Sequence, residues 1–167
     1  LGREPVNPRP QFEAYIHNFF APQSDGFLTY SDGIHDDVNK TMWSAMGWDP
    51  NADVRDVLVQ YARVFFRPDL AEKAADGLLA FETNLQGPLA LNGAVEGNFE
   101  LWSDLDARAP ELRNNWRWRM YQLRAVYDAY TRRRLLRETS LEQEVNTVLA
   151  DADKTGADAA MQQANDI

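Results

Sequence analysis

The sequence predicts a mainly α-helical protein, a bundle of about five or six helices with one short strand left from the edge of a (β/α) barrel. Three observations carry this. Apolar residues recur at helical spacing from Gln11 to Phe20 and then almost continuously from Asp36 to Ala150. From Asp36 on, the prolines (Pro50, Pro68, Pro88 and Pro110) fall at the boundaries between these runs. Only Phe27–Ser31 has the look of a strand, and a lone strand cannot pair its own backbone groups in a core.

Element by element, Leu1–Pro10 holds three of the eight prolines and reads as an extended lead-in. Gln11–Phe20 is a short helix with Phe12, Tyr15, Ile16 and Phe19 as its apolar face. Ala21–Gly26 is a turn, followed by the strand. Asp36–Gly47 is a helix burying Val38, Met42, Trp43 and Met46, with Gly47 as a C-terminal cap. Asp53–Phe66 carries the stripe Val54, Val57, Leu58, Tyr61, Val64 and Phe65. Pro68 opens the next helix, which runs to about Gln86. After the loop Gly87–Gly93, Val95–Ala109 is helical, with Phe99, Trp102 and Leu105 in register. Pro110 opens the longest run, Glu111 to about Ala150, roughly 60 Å if unbroken. Its stripe is Trp116, Met120, Leu123, Tyr127 and Tyr130, and Thr139-Ser140 marks an expected kink. The small polar tail Asp151–Ile167 reads as a frayed helix or as disorder. The expected organisation is therefore 1–33, lead-in helix and barrel-edge strand; 34–150, helical bundle; and 151–167, polar tail.

The chain has 167 residues, 44% of them hydrophobic and 26% charged, which suits a globular core. A net charge of −9 argues against nucleic acid and against anionic membrane surfaces as partners. No apolar run is long enough to span a bilayer. The absence of cysteine excludes disulfides, thiolate metal sites and a cysteine nucleophile. The chain opens on Leu1 rather than Met, which together with the unpartnered strand predicts that it is a piece of a longer protein.

Chemistry concentrates at Tyr30-Ser31-Asp32-Gly33-Ile34-His35-Asp36-Asp37. Asp32 stands where a strand gives way to a helix, the position from which a barrel presents a catalytic carboxylate. The competing reading is a turn or N-cap aspartate. His35 and Asp36 are candidates to line a polar pocket, whereas Asp37 reads as an acid placed at the positive end of a helix. Trp43, Trp102 and Trp116 lie on apolar stripes and read as core, while Trp118 is the tryptophan least tied to a stripe. Arg132–Arg134 and Arg137, followed by Glu138, Glu142 and Glu144, read as a solvated face with i,i+4 ion pairs. Asn114-Asn115-Trp116-Arg117 is placed to face a barrel mouth. Gly-rich phosphate loops, nucleophile elbows and H-E-x-x-H pairs are absent from the sequence.

The order Tyr30–Ile34, helix to Met46-Gly47-Trp48, then Asp53–Phe66 resembles the end of the catalytic barrel and the following helical domain of α-N-acetylglucosaminidases, the family of the human lysosomal enzyme. In that family a Pro-Glu-Gly-Ile segment ends a barrel strand. Asn114–Glu144 resembles the helical C-terminal part of bacterial relatives. The resemblance spans about Gly26–Glu144. It implies a C-terminal region of a glycoside hydrolase-like protein, retaining, and acting on α-linked amino-sugar or related glycans when joined to an upstream barrel.

By that resemblance Asp32 is the catalytic candidate, in place of the family's Glu and one methylene shorter. Tyr30, His35 and Asp36 are the substrate-binding candidates. No cofactor or metal is implied, and a periplasmic or extracellular location is. The second carboxylate of the mechanism has no counterpart here, so the chain alone is not expected to be active. The alternative is a self-contained helical scaffold or protein-interaction domain without catalysis.

Overall fold

The structure is a computed structural model that describes residues 6–30 and 34–167, the last segment beginning with the backbone of Ile34. Among these residues there are eight α-helices and no strand: α1 Pro10–Phe20, α2 Asp37–Trp48, α3 Val54–Phe65, α4 Ala71–Thr83, α5 Ala94–Arg108, α6 Trp116–Ala150, α7 Ala152–Thr155 and α8 Ala157–Asn165. The mainly helical class holds. The expected strand does not: Gly26–Tyr30 is irregular and exposed, and pairs with no neighbouring strand among the described residues. The chain divides into two compact units, Leu1–Ala129 and Tyr130–Ile167.

In the first unit α2, α3, α4 and α5 pack in sequence, and α1 lies on α2. The core holds Met42 and Met46 of α2, Leu58 and Tyr61 of α3, Leu78 and Phe81 of α4, Trp102 and Leu105 of α5, and Trp118 and Tyr121 of α6. Its centre is aromatic. The Trp102 ring lies 5.6 Å from Phe81, 5.4 Å from Trp118 and 5.6 Å from Tyr121, centroid to centroid. These spacings are those of favourable offset and edge-to-face pairs. Gly77 makes the contact possible, because a Cβ there would stand 2.7 Å from Trp102 Nε1.

Local chemistry fixes the helix ends. Asp53 accepts the Asp56 amide at 2.9 Å and caps α3. Asn115 accepts the Arg117 amide at 3.0 Å and donates to the Phe65 carbonyl at 2.6 Å, so one side chain starts α6 and ends α3. Glu82 of α4 accepts the amides of Gln11 and Phe12 at 3.0 and 2.9 Å, placing a carboxylate at the positive end of α1. The lead-in is tied down as well. Asn39 donates to the Asn7 carbonyl and accepts the Arg9 amide, both at 3.0 Å, and Arg124 donates to the Val6 carbonyl at 2.7 Å.

Two helices turn their expected faces outward. In α1 the buried positions are Pro10, Glu13, Ala14 and His17, while Phe12, Tyr15 and Phe19 point to solvent. In α6 the buried positions are Trp118, Tyr121, Arg124, Ala125 and Ala129, while Leu123, Tyr127 and Tyr130 are exposed. Trp116 is 39% exposed, and Trp118, which no stripe claimed, is fully buried.

In the second unit α6 continues to Ala150 with no break at Thr139-Ser140. Arg134 pairs with Glu138 one turn later at 2.6 Å, as a solvated basic face would. The tail forms α7 and α8 about Gly156, whose φ of 90° suits glycine. Ala160 of α8 is fully buried. Among the described residues no helix is long and apolar enough to cross a membrane.

Candidate functional site

Asp36, Asn39, Lys40 and Trp43 fall at intervals of three and four, so the start of α2 shows them on one side. Arg9 and Glu13 come from the start of α1, and Leu28, Thr29 and Tyr30 from the loop after it. Together they line a cavity of about 310 Å³. Glu13 is buried, and both its oxygens are engaged: Trp43 Nε1–H donates to one at 2.7 Å and Arg9 Nη2 to the other at 3.2 Å. A buried carboxylate needs such donors, because desolvation without them costs several kcal/mol. Asn39 has both ends of its amide committed to the lead-in.

The remaining two charged groups have no ion-pair or hydrogen-bond partner among the described residues. Asp36 occupies the N-cap position of α2, yet its carboxylate accepts no capping hydrogen bond. Lys40, one turn on, forms no ion pair or hydrogen bond with a described residue.

Behind Trp43 an aromatic clasp holds the loop. The rings of His17, Phe27 and Trp43 lie at mutual centroid distances of 5.3 Å, with His17 edge-on to the other two. Phe27 seats over Gly47, where a Cβ would stand 2.5 Å from its Cε1. Gly47 therefore does not end α2, which runs one residue further to Trp48. Its lack of a side chain admits the Phe27 ring.

Asp37 faces a different environment from Asp36. Arg117 Nε and Nη2 bind its two oxygens at 2.6 and 3.1 Å. Tyr61 donates to it at 2.6 Å, so Tyr121, 3.0 Å from the Tyr61 oxygen, must be the donor in that second contact. Burial is the main cause that pushes the Tyr61 hydroxyl far above the ordinary phenol range, with the neighbouring Tyr121 and the hydrogen bond to Asp37 adding to it. Burial likewise raises Tyr121. Arg117 is sandwiched, its guanidinium 3.9 Å from the Phe65 ring centre and 4.1 Å from that of Trp116. This set locks α2, α3 and α6 together. It places Asn115 and Arg117 in structural roles, and gives Asp37 a cross-chain partner as well as its place at a helix start.

Of the residues singled out from the sequence, Tyr30 and Asp36 line the cavity. His35 is half-buried and is not part of its lining. Asp32 lies outside the described residues. Sequence reasoning missed Glu13, Lys40 and Arg9. The available signal was the spacing of Asp36, Lys40 and Trp43 on one helical face. Glu13 gave none, since its partner Trp43 is thirty residues away. No group of three or more histidine and carboxylate side chains is placed to hold a metal ion among the described residues. Comparisons of the chain with family models, with curated proteins and with solved structures each found no match.

Proposed function

We propose that the chain is the C-terminal helical region of a glycoside hydrolase-like protein, acting on α-linked amino-sugar or related glycans when joined to its barrel. The observation that carries this reading is convergence. Tyr30 and Asp36, selected from the sequence as sugar contacts, share one cavity with an indole and a fixed carboxylate. Its size lies at the lower end of the range for small-molecule sites. The reading also requires an apolar surface around Phe27 and Leu28 for a barrel to cover, and Leu28 is 94% exposed. The outer face of α1 presents Phe12, Tyr15 and Phe19 as further exposed apolar side chains. Asp32, two residues beyond Tyr30, is the nucleophile in this scheme, with the second carboxylate supplied from outside the chain.

The test is hydrolysis of aryl α-N-acetylglucosaminides by the natural gene product, whose intact mass is determined alongside. Asp32→Ala is expected to abolish turnover. Unchanged turnover removes Asp32 from the mechanism.

A second reading, a self-contained helical interaction domain, is favoured by a core that closes without further elements: Phe81, Trp102, Trp118 and Tyr121 are fully buried. Sedimentation separates the two. A monomer with no concentration-dependent association supports the scaffold, and association through the apolar surface supports the first reading.

A further inference from the structure

We propose that this chain by itself binds one neutral, sugar-sized ring in the cavity between α1 and α2, with adjacent hydroxyls shared between Asp36 and Lys40 and the ring resting against Trp43. The inference rests on the glycan reading and names the ligand class of that cavity. Among the described residues, four charged side chains line the cavity, two cations and two anions. Glu13 and Arg9 satisfy one another, and Trp43 takes the other Glu13 oxygen, so this pair forms a fixed wall. Asp36 and Lys40 remain, one acceptor and one donor a single helical turn apart, neither bound to the other nor to any described residue. Side chains so spaced on a helix are close neighbours, about 5–6 Å apart at Cβ. Each hydroxyl of a sugar both donates and accepts, so an adjacent pair meets both groups at once. An ionised ligand would leave one of the two facing a like charge. The space of about 310 Å³ suits one ring rather than a chain of them.

The experiment is calorimetry and ligand-observed NMR on this chain with methyl glycosides of glucose and N-acetylglucosamine, and with glucosamine and glucuronate as charged comparators. At least one neutral glycoside is expected to bind. Asp36→Asn and Lys40→Gln should each weaken it about 10-fold or more, as loss of a charged hydrogen bond does. Because neither side chain has a partner among the described residues, both variants should melt with the parent, which circular dichroism checks. Binding that neither substitution alters places the sugar elsewhere and overturns the proposal. Tighter binding of a charged sugar overturns the neutral-ligand assignment. If no sugar binds while the natural gene product hydrolyses glycans in an Asp32-dependent way, the cavity proposal falls alone. If neither occurs, both fall.

Discussion

Asp37 and Arg117, 80 positions apart in the chain, meet as a two-point ion pair with Nε–Oδ2 at 2.6 Å and Nη2–Oδ1 at 3.1 Å. Each side chain is only about one-fifth exposed. Breaking such a pair from one side strands the other charge, at a cost of about 3 kcal/mol. Asp37→Asn and Arg117→Met should therefore each lower stability markedly. The double variant should lose less than the sum of the two, measured by urea unfolding in a double-mutant cycle. Strict additivity would mean that the pair is uncoupled.

Gly77 and Gly47 both admit an aromatic ring, yet the same substitution should affect them differently. At Gly77 the added methyl meets the fully buried Trp102, which has nowhere to go. Gly77→Ala should destabilise by about 1–3 kcal/mol through overpacking, despite the better helix propensity of alanine. A raised melting temperature would contradict this.

At Gly47 the obstructing ring is Phe27, which is half exposed and can swing out. Gly47→Ala should leave global stability nearly unchanged but release the loop Ser24–Tyr30. Hydrogen exchange should report faster amide exchange there and nowhere else. Protection equal to the parent's would show that the clasp does not hold the loop.

Asp106 accepts from Arg113 Nε at 2.8 Å and from Trp118 Nε1 at 3.1 Å. The Arg113 guanidinium is the main cause that holds its carboxyl below the usual carboxylate range. A lowered folded-state pKa contributes stability above the unfolded value near 4, and this is lost as pH falls through the folded value. Stability should therefore decline on acidification below about pH 4, less steeply in Asp106→Asn. Identical slopes for parent and variant would rule Asp106 out as a contributor.

The outward face of α1 yields a prediction of opposite sign to its appearance. Phe12, Tyr15 and Phe19 look like core in the sequence, but replacing Tyr15 and Phe19 with Gln should change stability by less than about 1 kcal/mol. Glu13→Ala, which looks harmless, should cost more, because it frees Trp43 Nε1 and Arg9 within a partly buried site. Thermal melts of the two variants compare them directly.

These cases show what the sequence could convey. Periodicity, prolines and caps located α1 to α5 within a few residues, because those signals are local, but α6 begins at Trp116, after a 3-10 turn over Pro110–Asn114, rather than at Glu111. Which side of a helix the core takes is not local. The stripes of α1 and α6 are real, but inward register is set by Glu82, Glu13, Asn115 and Arg117, whose partners lie far along the chain. Phe27–Ser31 has strand composition, yet no strand lies beside Phe27–Tyr30 among the described residues, so composition alone misleads there. The candidate site was half legible: Asp36 and Tyr30 stood out as polar groups near a turn, whereas Glu13 joined them only through a tertiary contact.

The stitched lead-in also has a mechanical meaning. Val6 is tethered to α6 by Arg124, and Asn7 and Arg9 to α2 by Asn39. Tension applied at Val6 is divided between two helices before it reaches α1. An optical-trap pull from that end should meet a resistance that Asn39→Ala and Arg124→Ala each lower, making this short segment a strain relief for the cavity behind it.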